Sequence, residues 1–383
     1  MIIPLYRALQ NNSHIEMKVL ALTTAQPTLE SVGIPYLGFL DLLGPEDTSA
    51  LEMGRKLAAE LPSLKNKFEE AAAYLGLCYA ELEQTHGKLL AEKLFKEKGR
   101  QAFLPIRVIE KLLRKEKPDL VFVTNSPRCE MAAVFGARKI GIPCICLIDL
   151  FAMPEVEYIG KAGYADKLLV LSGYAKNILV NAGRKSDEIV ITGNPAFDEL
   201  ASAEILQNGA AHKLSMGWGN KKVLLWASQP EPPPHVNLPR EIDQALFKLI
   251  EKNKDWQLVL RPHPSETLPY VSYPDRVSVS RQSEDLKMVI SSSDVVITLT
   301  STVGLQGYLL NKPLIAIELS ILNSCAPYAD MGLAYGVREL SQLGDTIEKA
   351  LLLGKLNSNS IPKSGLATRN VVREIMEILG GRV

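Results

Sequence analysis

The sequence predicts an α/β protein built from two doubly wound, Rossmann-like units with parallel sheets. Three observations carry this reading. Short β-branched runs alternate with longer helical patterns along most of the chain. The alternation pauses after Thr192-Gly193-Asn194-Pro195, crosses a polar stretch holding Asn208-Gly209 and Gly217-Trp218-Gly219-Asn220, and then starts again. The length, 383 residues, exceeds what one hydrophobic core usually serves. The expected division is a first domain over 1–200 with a helical insertion at 48–117, a second over 201–365, and a C-terminal helix over 366–383.

In the first domain the earliest strand-like run is Met17-Lys18-Val19-Leu20-Ala21-Leu22. The stretch from 48 to 117, dense in Ala, Leu, Glu and Lys, reads as amphipathic helices packed on the sheet. Strands resume at 120–124, 144–148, 167–171 and 189–191, separated by helical patterns over 128–139 and 174–182. In the second domain strands are expected at 222–226, 257–260, 276–279, 294–298 and 314–317. The beginning departs from the pattern. Pro4-Leu5-Tyr6-Arg7-Ala8-Leu9 already reads as a helix, where a doubly wound domain opens with a strand and a Gly-rich turn. Either the gene starts upstream, which is the expectation, or another chain or a rearranged sheet fills the gap.

Composition narrows the function. With 43 Lys+Arg against 43 Asp+Glu, the chain lacks the basic surplus of a protein that neutralises phosphates along a duplex, so no nucleic acid partner is expected. A local basic pocket stays open. No run approaches 18 apolar residues, and the N-terminus lacks the regions of a signal peptide, which places the chain in the cytoplasm. The five cysteines never form Cys-x-x-Cys. Cys144 and Cys146 fall on one side of a strand with no nearby His to complete a metal set, so they read as buried filler. The five histidines show no ligand spacing either, and neither metal nor cofactor is expected.

In open parallel sheets, ligands bind beyond the carboxyl ends of the strands, at helix N-termini. That rule selects four turns in the second domain. The first is Thr298-Leu299-Thr300-Ser301-Thr302-Val303-Gly304-Leu305-Gln306, where three hydroxyl residues enter a helix. Backbone N–H groups, side-chain donors and the positive helix end suit a phosphate there, and Gly304 would allow close backbone approach. A plain N-cap is the alternative. The second is Leu260-Arg261-Pro262-His263-Pro264-Ser265, whose two prolines restrict how His263 is presented. Either could meet a phosphate, Arg261 as a permanent charge and His263 as a donor that can also lend a proton, which makes His263 a catalytic candidate. The third is Trp226-Ala227-Ser228-Gln229-Pro230, where Ser228 and Gln229 could reach a pyrophosphate or ribose, or simply form a polar turn. In the fourth, Glu318 could bind hydroxyls or cap a helix. In the first domain, Asp149 ends an apolar strand and is a candidate general base, or equally an N-cap.

Three segments carry a family resemblance: the turn Thr192-Gly193-Asn194-Pro195-Ala196-Phe197-Asp198, the strand end Arg261-Pro262-His263-Pro264, and the run from Ser293-Asp294-Val295 through Ser301-Thr302-Val303-Gly304 to Lys312-Pro313-Leu314-Ile315. Together they resemble the GT-B glycosyltransferase fold, in which two Rossmann-like domains face a cleft. Within it they are similar to bacterial surface-polysaccharide enzymes: capsule Kdo transferases, sialyltransferases and CDP-glycerol glycerophosphotransferases. The layout is also similar to UDP-N-acetylglucosamine 2-epimerases, although neither an Asp-Ser-Gly-Gly turn nor a His-Val-Glu-Ala-Gly segment stands here. The resemblance implies a nucleotide-sugar donor on the second domain, with His263, Ser301 and Thr302 on its phosphates and position 306 on its ribose. Many GT-B members carry Glu there; Gln306 accepts with only one oxygen. It further implies a metal-independent glycosyltransferase of polysaccharide biosynthesis. A glycan or lipid-linked acceptor, a peripheral contact with the inner membrane face and a homo-oligomer are compatible with it. Asp149 would take the acceptor's proton. Epimerase chemistry or a non-catalytic GT-B subunit are the alternatives.

Overall fold

The computed structural model describes every residue except 23–24, 62–66, 152, 154, 363–364 and 381–383. Two compact units emerge: Met1–Val170 with Lys176–Pro195 and Thr368–Val383, and Leu171–Ala175 with Ala196–Ala367. The main passage falls at 195–196, just before the limit expected at 200.

The first unit holds a four-stranded parallel sheet, β1 (Val121–Val123), β2 (Cys144–Leu147), β3 (Lys167–Val170) and β4 (Ile189–Ile191), in chain order. Every residue of β2 is buried, the mark of a parallel strand covered on both faces. Leu5 and Leu9 of the helix Ile2–Leu9, with Val371 and Ile375 of the helix Ala367–Gly380, pack on Ile145, Leu147 and Leu169. The C-terminal helix, expected as a separate segment, thus covers the first sheet; its last three residues lie outside the described set.

The strand expected at Met17–Leu22 is reduced to one parallel bridge, Leu20 with Leu37. Leu37 N–H donates to Val19 O at 2.7 Å and Ala21 N–H to Leu37 O at 2.9 Å. Pro35, two residues before Leu37, has no N–H to extend the ladder. Among the described residues the sheet therefore opens at β1, which pairs with β2.

The insertion forms the helices Thr48–Ala59, Phe68–His86, Lys88–Lys98 and Ile106–Glu116 around their own apolar core, including Phe39, Tyr74, Leu75 and Phe103. Two of them touch backbone to backbone. A Cβ on Gly54 would lie 1.9 Å from Ala72 O, and one on Gly76 would lie 2.1 Å from Ala50 O. Two buried carboxylates of Phe68–His86 fix the neighbours. Glu70 accepts from Phe39 N–H (2.6 Å) and Leu40 N–H (3.1 Å), and Glu81 from Arg107 N–H (2.7 Å) and Val108 N–H (3.1 Å) at the start of Ile106–Glu116.

The second unit is a six-stranded parallel sheet: β5 (Lys222–Ala227), β6 (Trp256–Arg261), β7 (Val277–Val279), β8 (Val295–Thr298), β9 (Leu314–Ile317) and β10 (Tyr335–Val337), in the order β10-β9-β8-β5-β6-β7. The first five match expectation. β10 is additional, a three-residue edge strand with Gly336 at its centre, too short to show a period. The winding direction reverses at β5, which has β6 on one side and β8 on the other. Ala227 is level with both Arg261 and Thr298, so three strand ends open onto one edge.

The glycine crossing in the insertion yields a stability prediction. Gly54→Ala forces the helices Thr48–Ala59 and Phe68–His86 apart and should cost about 2–3 kcal/mol in denaturant unfolding. A loss below about 0.5 kcal/mol would show that the two backbones do not meet there.

Candidate nucleotide site

The reversal between β5 and β8 is where an open α/β sheet leaves a crevice outside its carboxyl edge. The side chain of Gln229, two residues past β5, spans it. Its Nε2 donates to Thr300 Oγ1 at 2.8 Å, while its Oε1 accepts from Thr300 N–H at 3.1 Å. The same Nε2 donates to Glu231 Oε1 at 2.8 Å, and Ser320 Oγ, beyond β9, donates to Glu231 Oε2 at 2.7 Å. Gln229, Glu231 and Ser320 are all buried.

This network decides which donors of the hydroxyl turn are committed. Thr300 N–H goes to Gln229 and Ser301 N–H to Thr298 Oγ1 at 3.3 Å. Ser301 Oγ accepts from Val303 N–H at 3.3 Å, so Ser301 is the N-cap of the helix Thr302–Leu309. Tyr328 Oη donates to Ser301 O at 2.8 Å from a buried position that pushes the phenol's pKa up. Thr302 takes part in none of these bonds and is exposed at the positive end of the helix. The N-cap reading of the turn thus falls on Ser301 and leaves Thr302 uncommitted to it. Gly304 answers to packing: a Cβ there would lie 2.7 Å from Thr298 Cγ2 and 3.2 Å from Leu314 Cδ1. Close approach of a ligand is not what demands glycine. Gln306 is half-buried in the same helix.

At the end of β6, His263 is exposed. Ser265 N–H donates to its Nδ1 at 3.2 Å and Ser265 Oγ lies 2.7 Å from the same atom. With Nδ1 accepting, the neutral ring carries its proton on Nε2 and presents a donor. Glu266 Oε2 accepts from His263 N–H at 2.8 Å, and Glu266 Oε1 from Arg240 Nη2 at 2.7 Å and Ser228 Oγ at 3.0 Å. Ser228, open in the sequence between a ligand contact and a polar turn, is part of the support for the His263 loop.

Arg261 is also turned inward. Its Nη1 donates to Ser280 Oγ at 2.8 Å and to the carbonyls of Arg281 and Glu284, and burial pulls its pKa below the ordinary arginine value. Glu318 accepts from Arg338 Nε at 3.1 Å and fills the space a Cβ on Gly336 would need. The reading in which Arg261 and Ser228 present free groups to a phosphate does not match their placement, because buried polar atoms take the partners that the fold supplies.

In the first unit Asp149 follows β2. Asn125 Nδ2 donates to Asp149 Oδ1 at 3.1 Å, Asp149 N–H donates to Asn125 Oδ1 at 3.2 Å, and Asn194 Nδ2 donates to Asp149 O at 2.7 Å. Tyr158 Oη donates to Asn125 O. Buried Asn125 and Asn194 thus fix both the carboxylate and its backbone. The strand end Thr124-Asn125-Ser126-Pro127-Arg128 stood out in the sequence beside that of Asp149, whereas sequence reasoning missed Glu231 and Glu266 as supporting residues. One signal was present, since Glu231 stands between Pro230 and Pro232 as His263 does between Pro262 and Pro264.

Residues 156–320 match the family model described as CDP-Glycerol:Poly(glycerophosphate) glycerophosphotransferase. The matched segment, less than half of the chain, contains Asn194, His263, Ser301 and Thr302. No curated protein matches the sequence. Solved structures are similar over nearly the whole chain. A UDP-N-acetylglucosamine 2-epimerase from Listeria monocytogenes, described as putative, matches with TM-score 0.61 and 16% identity over 99% of this chain and 92% of its own. The enzyme from Neisseria meningitidis bound to UDP-GlcNAc gives 0.59 and 16% over 98% and 95%. A UDP-bound MnaA from S. aureus gives 0.57 and 16% over 98% and 92%. At that identity the likeness is one of fold: two parallel-sheet α/β domains of the GT-B-like epimerase kind. The glycerophosphotransferase and epimerase resemblances are both found.

The division of labour in the turn can be measured. Ser301→Ala removes the cap on Val303 N–H and should cost about 1 kcal/mol of stability. Thr302→Ala should leave unfolding within about 0.5 kcal/mol of the parent. Equal losses would mean that Thr302 also belongs to the packing.

Proposed function

We propose that the chain is a transferase that moves a sugar or a glycerol phosphate from a nucleotide donor to a glycan or lipid-linked acceptor in surface-polymer synthesis. The observation that carries it is the pair of outward donors on one sheet edge, the Thr302 turn after β8 and the Nε2–H of His263 after β6. These strands flank β5, so their axes stand about 10 Å apart, the scale of a diphosphate with a hydrogen bond at each end. The family match spans both donors.

In either reaction the bond from the transferred group to the nucleotide phosphate breaks, and charge accumulates on that phosphate. Thr302 N–H and Oγ1, the helix dipole and His263 Nε2–H would receive it as fixed donors, with no metal required. Ser301 and Thr300 shape the turn, while Gln229 and Glu231 hold it. Gln306 would meet the ribose. Asp149, held by Asn125, would take the acceptor hydroxyl's proton. The family match favours a glycerol phosphate cargo; the fold likeness keeps epimerisation as the second reading.

Calorimetry against UDP, CMP, CDP and GDP, followed by incubation with CDP-glycerol and with UDP-N-acetylglucosamine, separates these. A transferase leaves the sugar of its donor unchanged without acceptor, whereas an epimerase alters UDP-N-acetylglucosamine alone. His263→Ala should weaken the preferred nucleotide by about 1.5–3 kcal/mol, roughly tenfold or more. A folded variant binding every nucleotide as tightly as the parent would remove His263 from the site.

A further inference from the structure

The helix Lys88–Lys98 has one face in the core of the insertion, where Ala91, Leu94 and Phe95 pack and Phe95 stacks on Phe103 with ring centroids 5.4 Å apart. Its other face begins, right after the turn at Gly87, with two adjacent exposed leucines: Leu89 is 84% exposed and Leu90 46%. Leu89, Lys93 and Lys96 follow one another at helical spacing along the outer stripe. From Lys88 to Arg100 there are five cations against Glu92 and Glu97, a surplus of three in a chain whose formal net charge is zero. Only Lys93 has a carboxylate within ion-pair distance among the described residues of this segment, Glu97 at 4.0 Å. The other exposed leucine pair, Leu352 and Leu353, differs: its neighbours Lys349 and Lys355 lie over the rings of Tyr335 and Tyr308.

We propose that this helical tip is a docking surface for an anionic lipid bilayer, with Leu89 and Leu90 entering the interface and Lys88, Lys93 and Lys96 meeting lipid phosphates. Two apolar side chains at a helix start, beside exposed lysines of which only Lys93 has a carboxylate within reach among the described residues, match what a negatively charged interface offers: acyl boundary beneath and phosphate around it. A second copy of the chain would carry the same positive surplus and repel at this face. No described helix is long and apolar enough to cross a membrane, so the contact lies in the interface plane.

The test is sedimentation of the full chain with vesicles of phosphatidylglycerol and phosphatidylcholine in equal parts, and with phosphatidylcholine alone, at low and high salt. The parent should bind the anionic vesicles only, and lose binding at high salt. L89E with L90E should weaken binding at least about tenfold, and K88E, K93E and K96E about fivefold each, with unchanged melting temperatures because all five positions are exposed. The proposal fails if the parent ignores anionic vesicles or if either set of substitutions leaves binding unchanged. It fails equally if L89E with L90E converts a dimer to a monomer in light scattering without affecting vesicle binding, since the face would then meet a second copy. Nucleotide affinity, measured in parallel, should not change in any variant, which keeps this outcome separate from that of the transferase reading.

Discussion

The side chain of Gln229 joins the ends of β5 and β8, and most of what the second unit can offer a ligand follows from that junction. One amide satisfies both polar groups of Thr300 and donates to Glu231, which Ser320 then ties to the end of β9. Thr298 Oγ1 adds a bond to Ala227 O at 3.3 Å. The three strand ends are thereby fixed relative to each other by the chain's own side chains, at the position where the sheet reverses. A turn held in this way carries little reorganisation cost when charge appears beside it, which is the condition under which oriented donors act most strongly. The same junction removes Thr300 N–H from the donor set and leaves Thr302 as the residue turned outward.

The first unit treats Asp149 similarly. Asn125 and Asn194, from the ends of β1 and β4, converge on the residue after β2, one on its carboxylate and both on its backbone. A buried asparagine can serve a neighbour's donor and acceptor at once, which no apolar residue or hydroxyl could do with this reach. Asn194 belongs to the Gly193-Asn194-Pro195 turn, so that segment has a structural task in the first unit whatever its role toward a ligand.

Much of this was legible in the residues. The strands were legible because parallel strands buried on both faces read as continuous apolar runs, as in β2, β8 and β9. The turns after β5, β6, β8 and β9 followed from topology alone. What stayed hidden depended on three-dimensional competition for hydrogen bonds. Nothing in Arg261-Pro262-His263 says that the arginine turns toward Ser280 while the histidine turns out. The run Met17–Leu22 has the composition of a strand, but a strand needs a partner with free N–H groups, and Pro35 withholds one. The return of Ala367–Gly380 to the first sheet is likewise a packing choice: an amphipathic helix shows which face it buries, not against which sheet.

The inward arginines bear on how the edge would handle a phosphate. Arg240 is bound to Ser228, Glu266 and Asp243 and so supports the loop that presents His263, while Arg261 is bound to Ser280 and to the carbonyls of Arg281 and Glu284. A donor phosphate would then meet hydroxyls, an imidazole N–H and a helix end carrying about half a charge. Each of these bonds carries its full charge only on the phosphate side, whereas an arginine would add a permanent positive charge and a second, parallel donor. A fixed arginine would grip the intact donor and the departing nucleotide with similar strength, and binding of that uniform kind does not speed the chemical step. On the proposed reading, short dipoles held by Gln229, Ser301 and Glu266 would favour the state in which charge has built up on the leaving phosphate. For a transferase that must also release its spent nucleotide, weaker and better oriented donors are the more useful arrangement.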